Sequence, residues 1–400
     1  MYKFKNEGMN VPCYVWSEKG SIEESCIQQM ENISSLPFAF HHTVLNADGH
    51  TGYGMPIGGV LATEGVVICN CVGVDIGCGM CAVRTSIKYD EFDIDTLKRI
   101  LGGSKELKGG IRSHIPVGRN HHKKAQEWAG FDDAPMGIQI IEDQLSSAAK
   151  QLGTLGGGNH FIEIQKGDDG HVWIMVHSGS RNFGYQIAKT YNKIAQDLCK
   201  KWHSNIPEPK GEDGLAFLPI DSDEGQDYLT AMNYALDFAL ASRLNMIEAV
   251  KKEFLLQIDC TFDEVINKHH NFATMENHFG RNVMVHRKGA TSARKGEFGI
   301  IPGSQGTFSY IVEGKGNSES FCSCSHGAGR KMSRTKAQNE LNLEEEQEKL
   351  NSQGILHAIR GKNDLDEAAG AYKDIGEVMA NQSDLVDIKV ELSPLAVIKG

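Results

Sequence analysis

GGGNHFIEIQKGDDGHVWIMVHSGSR, residues 156–181, sets the fold class. Phe161-Ile162-Glu163-Ile164 and Val172 to Val176 read as two strands, and Lys166-Gly167-Asp168-Asp169-Gly170 between them reads as a hairpin turn. On one side, Ile138, Ile141, Leu145, Ala148, Ala149 and Leu152 share the face of an amphipathic helix over 138–152; on the other, Phe183 to Trp202 forms a second helix. An antiparallel pair between helices is α/β in content but lacks the βαβ rhythm of a doubly wound sheet. Further out, Val66-Val67-Ile68 and Cys81 to Thr85 are short strands, Tyr228 to Phe254 is a long helix, and Ile206 to Gly225 is a surface loop rich in Pro, Gly and acid. Short strands return from Asn282 to Val312, and Arg334 to Leu350 reads as a charged helix. The expected fold is α/β with α+β character: mixed β-sheets flanked by helices, one domain over residues 1–400, and a helical insertion near 185–255.

The 400 residues carry 41 Lys+Arg and 52 Asp+Glu, a formal net charge of −11. That balance argues against a protein that holds nucleic acid by bulk positive charge. With 40% hydrophobic and 23% charged residues the chain is globular. Forty-four glycines, without a collagen period, point to many backbone turns near a ligand or metal. Met1 to Gly20 holds Lys3, Lys5, Glu7, Glu18 and Lys19 and no apolar run, so no signal peptide is expected there. Ten irregularly spaced cysteines favour reduced thiols or metal ligands over a disulfide framework. The expectation is a cytoplasmic protein. Charge is unevenly placed: residues 281–336 hold ten Lys or Arg against Glu297, Glu313 and Glu319, while 337–400 hold six basic and thirteen acidic groups. A basic segment in an acidic chain suggests a localised anion site; a solvated surface is the bland alternative.

Five constellations carry chemistry. In Val74-Asp75-Ile76-Gly77-Cys78-Gly79-Met80-Cys81 a carboxylate and a thiol three residues apart can converge on one cation. A four-cysteine zinc site using Cys69 and Cys71 is the rival, although a Cys-x-Cys spacing is poor for it, and the pair more simply shares one buried strand face. Gly156-Gly157-Gly158-Asn159-His160 presents two polar side chains at a strand entrance. Val176-His177-Ser178-Gly179-Ser180-Arg181 puts His177 at a strand end, and His269-His270-Asn271 supplies further imidazoles. A lone histidine is more often structural than a ligand, but three beside Asp75 and Cys78 suit zinc or manganese. Ser325-His326-Gly327-Ala328-Gly329-Arg330 lies in the basic segment, where small residues admit a bulky partner to the ring and Arg330 and Arg334 can neutralise phosphates. The plain alternative is a glycine turn ending a strand.

DIGCGM, GGGNHF, HSGSR, HHNFA, IPGSQGTFSY, SHGAGRKMSR and the closing KG together resemble the RtcB family of RNA ligases, from about residue 40 to the end. The resemblance implies an RtcB-like fold and an enzyme that joins RNA ends bearing a 2′,3′-cyclic phosphate or 3′-phosphate to a 5′-hydroxyl, with GTP as cosubstrate and two Mn²⁺ ions. It implies that Asp75, Cys78 and His160 hold one ion and that Cys78, His177 and His270 hold the second. His270 is preferred to His269 because it directly precedes Asn271. His326 is then the nucleophile that carries GMP. Asn159, Glu163, Ser304, Ser309, Ala328, Gly329, Tyr372 and Lys399 match guanylate-contacting positions, as His326 does, and Arg181, Arg330 and Arg334 match phosphate- or RNA-gripping ones. Asn46-Ala47-Asp48-Gly49-His50 departs from the Pro-Asp-x-His run of many members, which touches a local turn and not the chemistry. Expected partners are RNA ends and GTP, with no membrane; a protein activator is left open and the chain is expected to be a monomer.

The rivals are a binuclear metal-dependent phosphodiesterase, which would need the metal ligands but neither His326 nor the guanylate positions, and a non-catalytic RNA-end sensor. No Gly-x-x-x-x-Gly-Lys-Ser/Thr is present, which disfavours a P-loop enzyme, and no Lys-x-Asp-Gly, which disfavours lysine as nucleotidyl carrier.

Overall fold

The computed structural model describes residues 1–103, 109–206 and 214–400. The strands read from residues 156–181 are Phe161–Gly167 and His171–Ser178, and they form the middle of a seven-stranded antiparallel sheet. Its order is Ile266–His269, Gly79–Lys88, His171–Ser178, Phe161–Gly167, Val386–Lys399, Ser309–Gly314 and Phe298–Ile301. The two edge strands lie against each other, and Lys268 Nζ reaches Glu297 Oε1 at 2.7 Å beside them, so the sheet is nearly closed into a barrel. Closure removes the exposed edges that invite aggregation.

Period-two alternation divides the side chains of these strands between two cores. Ile162, Ile164, Val172, Ile174, Val176, Cys81 and Val83 pack outward against Met246, Ile247, Val250 and Phe254. These last four belong to a 33-residue helix, Asp223–Leu255. Met80, Ala82, Phe161, Met175 and Val397 point the other way, towards Leu350, Ile355, Ile359 and Leu365. The helical segment expected near 185–255 thus comprises Arg181–Lys201 and Asp223–Leu255, both built into the common core. Phe183, Tyr191, Tyr228 and Phe238 fill the space between them.

A second sheet of six strands runs Tyr2–Phe4, Cys13–Val15, Ala39–His50, Ile57–Thr63, Arg281–Lys288 and Asn271–His278, with one parallel pair, Cys13–Val15 beside Ala39–His50. The chain passes between the sheets at His270. The preceding residue ends an edge strand of the barrel and the following residue opens an edge strand of the six-stranded sheet. The cavity described below lies where the two sheets meet.

Three local expectations need correction. Cys69 and Cys71 lie in a short helix, Cys69–Val72, and not in a strand; they enter different cores, as does Cys81. The four-cysteine alternative therefore does not form. The charged helix over 334–350 is two helices, Arg334–Glu340 and Leu343–Asn351, because the Asn342 side chain accepts from the Glu344 and Glu345 N–H groups and starts a new helix. The proposed surface loop 206–225 includes 207–213, outside the described residues, but Leu215, Ala216 and Leu218 are buried and Leu218–Pro219 pairs with Val66–Val67.

Candidate active site

Strand register assembles the first row of the site. Met80 lies opposite His177, His177 opposite Phe161, and Phe161 opposite Lys399, so one row crosses four strands at one end of the barrel. Asp75 and Cys78 come from the turn before Gly79, and His160 immediately precedes Phe161. The Cys78 backbone holds the crossover, since its carbonyl accepts the His270 N–H at 2.8 Å. Asp75, Cys78, His160, His177 and His270, distant in sequence, meet here.

The contacts are close. Cys78 Sγ lies 3.4 Å from His160 Nε2 and 3.3 Å from His177 Nε2. His177 Nε2 is 3.3 Å from His270 Nε2, and His160 Nε2 is 3.0 Å from Asp75 Oδ2. The ligand atoms of Cys78, His160 and His177 all fall within 4.8 Å of one another. Apart from Asp75, whose side chain is 30% exposed, every member is buried. Outer contacts orient two of the rings: His160 Nδ1 faces the Leu155 carbonyl at 2.9 Å and His177 Nδ1 faces the Asn159 carbonyl at 3.1 Å. A protein that ligates metal through Nε2 fixes the ring in this way from the other nitrogen.

The donor set fits a cation. Burial drives His177 and His270 well below the usual imidazole range, keeping both neutral and their lone pairs available. Burial and the Asp75 carboxylate push the Cys78 thiol well above its ordinary value; a bound cation would favour the thiolate instead. His270 Nδ1 is buried with no hydrogen-bond partner among the described residues, a polar atom left without compensation. Gly179 is required nearby, because a Cβ there would overlap the Asp75 carboxylate.

Arg243 braces this centre from behind. Completely buried, it donates from NH1 to the carbonyls of Gly77 (2.8 Å) and Ser178 (2.9 Å), from Nε to Asn267 Oδ1 (2.7 Å), and packs NH2 3.1 Å from His269 Nδ1. His269 therefore faces the brace and not the cluster. Arg243→Met would remove the donors to the Ser178 carbonyl and the Asn267 amide oxygen and leave the Gly77 carbonyl only its 3.2 Å contact with His269 Nδ1. We expect it to lower unfolding stability by about 3 kcal/mol or more, read as a shift of the urea midpoint.

His326 stands at the next position in the cavity. It follows the strand Ser323–Ser325, which pairs with Ala290–Ser292, and its ring centroid lies 4.7 Å from that of His270. Its Nδ1 is 2.6 Å from Asp48 Oδ2, and its backbone N–H donates to the same oxygen at 3.1 Å. Asp48 is fully buried. Burial alone would raise its carboxyl, but the His326 ring outweighs that and holds it below its ordinary range. A buried carboxylate at Nδ1 fixes the proton there, leaving the Nε2 lone pair free; Nε2 has no hydrogen-bond partner among the described residues. Nothing in the sequence around Asp48 marks it as the partner of His326. Gly329 fits beside it with φ +72° and no room for a Cβ against the Asp48 carbonyl.

The cavity around His326 has a volume of about 680 Å³. Asp75, Cys78, His177 and His270 line it, as do Asn159, Glu163, Ser304, Ala328, Gly329, Tyr372 and Lys399. Ser309 does not. It sits behind the wall, where its Oγ accepts from the Gly303 N–H and from Gln165 Nε2, both at 3.2 Å. Burial pushes the Glu163 carboxyl up to about 8, against the pull of Lys399. Arg330, Arg334 and Lys399 also line the cavity, but each pairs with Glu367, at 3.4, 3.0 and 3.1 Å. Tyr372 donates its hydroxyl to the same carboxylate at 2.6 Å. Arg181 lies outside, lining a neighbouring hollow with Val74 and Asp75, its NH1 3.1 Å from His160 Nδ1. It holds φ +60° at a non-glycine residue, an unfavourable backbone kept beside the cluster.

A thiol–imidazole–carboxylate cluster able to hold a metal ion and a carboxylate-held histidine share one cavity, an arrangement of the kind found in metal-dependent enzymes. Over residues 29–400 the sequence matches the family described as tRNA-splicing ligase RtcB. It is 36% identical to the RNA-splicing ligase RtcB of Escherichia coli (strain K12) over 414 aligned residues, covering 98% of each chain. It is 32% identical to the tRNA-splicing ligase RtcB of Thermococcus kodakarensis, covering 98% of this chain and 95% of that protein. To the tRNA-splicing ligase RtcB of Nanoarchaeum equitans it is 32% identical over 100% and 98%. The chain belongs to the RtcB family of RNA ligases. It is therefore an enzyme whose family works on RNA ends with GTP and metal. Among the described residues no helix is long and apolar enough to cross a membrane.

Proposed function

We propose that this chain, acting as one cytoplasmic catalytic unit over residues 1–400, joins RNA 2′,3′-cyclic-phosphate or 3′-phosphate ends to 5′-hydroxyl ends with GTP and two Mn²⁺ ions. The observation that carries the reading is the 2.6 Å contact of His326 Nδ1 with Asp48, in a cavity shared with Cys78, His177 and His270. His326 Nε2 attacks the α-phosphorus of GTP; the bond to the β-phosphate oxygen breaks and pyrophosphate leaves. Nδ1 keeps its proton, and Asp48 stabilises the positive charge that develops on the ring. An RNA 3′-phosphate oxygen then takes GMP from nitrogen, giving an RNA-3′-pp-5′-G end. Attack by the 5′-hydroxyl on the 3′-phosphorus expels GMP. A cyclic end is first opened by water to the 3′-phosphate.

Asp75, Cys78 and His160 would hold one Mn²⁺, and Cys78, His177 and His270 the other. Bound there, the ions would supply neutralising charge to the transferring phosphates. Glu163 offers a buried carboxyl group to the N–H edge of guanine, and donors from that edge would favour its ionised form over the neutral acid that burial alone favours. Tyr372, Ala328, Gly329, Ser304 and Asn159 complete a guanylate wall, and Lys399 sits 5.8 Å over the Phe161 ring. Ser309 supports that wall through Gly303. Arg330 and Arg334 share carboxylates, so their contribution to phosphate binding is what remains after Glu367 and Asp366 are counted.

With Mn²⁺ and α-labelled GTP, the protein is expected to become labelled, and the label should be acid-labile and alkali-stable as a phosphoramidate is. Cleavage of phosphodiesters without label would indicate the hydrolase reading, and RNA-end binding with neither would indicate a sensor.

A further inference from the structure

The guanylate positions occupy only part of the cavity. Another part of its lining is formed by residues that no step above uses: His50, Thr51, Tyr53, Asn70, Gly73 and Lys288. Ile57 joins them, and the same Ile57 and the His326 ring flank Gly289. In this region Tyr53 stands out. It is 64% exposed, whereas an aromatic ring of that size is ordinarily driven into a core.

Its backbone, in contrast, is firmly held. The Gly52 N–H donates to Gln29 Oε1 at 3.0 Å and the Gly52 carbonyl accepts from Gln29 Nε2 at 2.6 Å, tying the loop to the helix Glu24–Ser34. The Thr51 N–H donates to Glu23 Oε1 at 2.7 Å. The Tyr53 carbonyl accepts from the Met55 N–H at 2.9 Å and from Lys288 Nζ. A solvent-facing ring on a pinned loop loses little conformational entropy when something stacks on it.

Chemistry says what must lie there. In an RNA-3′-pp-5′-G end the two phosphates separate the guanosine from the 3′-terminal nucleoside. With guanosine against Glu163 and the phosphates at His326 and the cysteine–histidine cluster, the RNA nucleoside extends away from the guanylate wall. We propose that Tyr53 is a stacking platform for the nucleobase of the 3′-terminal RNA nucleotide. The inference rests on the proposed guanylyl-transfer function and deepens it by assigning the RNA side of the cavity. Stacking is tolerant of base identity, which suits an enzyme that reads an end and not a sequence.

The test uses the full-length protein carrying Tyr53→Ala, Tyr53→Phe or Tyr53→Trp, and RNA strands ending in a 3′-phosphate with or without a terminal base. Self-labelling by GTP is measured first. Labelling is expected to equal wild type in all three, since Tyr53 is not among the guanylate positions and its proposed partner is the RNA base; wild-type protein that fails to label refutes the underlying function and not this assignment. Transfer of GMP to the 3′-phosphate strand is then followed without any 5′-hydroxyl partner. Tyr53→Ala should raise KM for that strand about tenfold or more, with Phe and Trp restoring it. The deficit should vanish with an abasic 3′ end, a result that loss of packing alone would not produce. An unchanged KM in Tyr53→Ala overturns the proposal, as does an equal deficit on abasic ends or a deficit confined to the 5′-hydroxyl strand.

Discussion

His326→Ala is expected to take up no label from α-labelled GTP, while keeping the fold of the parent. The side chain removed follows a three-residue strand and is only 15% exposed; without it the buried Asp48 carboxylate keeps only the N–H of residue 326, so about 3 kcal/mol of stability is lost together with the nitrogen that attacks phosphorus, and circular dichroism checks that the variant stays folded. Asp48→Asn separates charge from orientation. Asparagine keeps the shape, and its amide oxygen can still accept from Nδ1 and from the N–H of residue 326, but it removes the negative charge that steadies the imidazolium as Nε2 attacks. A comparable exchange in a serine protease triad costs about 10⁴-fold in turnover, and a loss of about 10³- to 10⁴-fold in guanylylation rate is expected here. GTP affinity should change far less, because Asp48 lies behind the ring. Labelling of His326→Ala at the wild-type level would remove the nucleophile assignment. Labelling of Asp48→Asn at the wild-type rate would leave His326 in place and discard the role given to the Asp48 charge.

Most of the residues that converge lie in short motifs visible along the chain. Glycine turns, strand ends and the residues just beyond them are local features, and Asp75, Cys78, His160, His177, His270 and His326 are all of that kind. The strands were legible for the same reason: Ile162, Ile164, Val172, Ile174 and Val176 announce a buried face by simple alternation. What was illegible depended on pairing at a distance. Asp48 sits 278 positions before His326, and only the meeting of Ala39–His50 with the strand before His326 discloses its role. The basic run 281–336 also misleads when read by itself. Arg287 is buried against Glu276 at 2.6 Å, Arg281 meets Glu64 at 2.9 Å, and Arg330 and Arg334 meet Glu367, so partners from outside the run offset much of its charge. A linear charge count cannot see those partners. Ser309 is a related case, since a motif match marks it without telling a lining residue from one that supports the wall.

Cys78→Ala is expected to abolish high-affinity Mn²⁺ binding, the second large effect. The thiol is the member closest to two imidazoles at once, at 3.4 Å from His160 and 3.3 Å from His177, so removing it deprives both halves of the cluster. His270 would not compensate, because its backbone is fixed by the Cys78 carbonyl on one side and by the Ala290 N–H on the other. Cys78→Ser should retain part of the binding, since a hydroxyl oxygen is acceptable to manganese but is a weaker donor than a thiolate. Titration of Mn²⁺ into the wild type and the two variants, followed by calorimetry or by the electron-spin resonance of the free ion, separates the cases. Neither variant should change the unfolding free energy, read from urea titration, by more than about 1 kcal/mol when metal is absent, because the buried thiol adds mainly packing to the unloaded fold. Wild-type affinity in Cys78→Ala would show that the cation sits elsewhere, and the proposed bridge between the two ligand groups would then have to be given up.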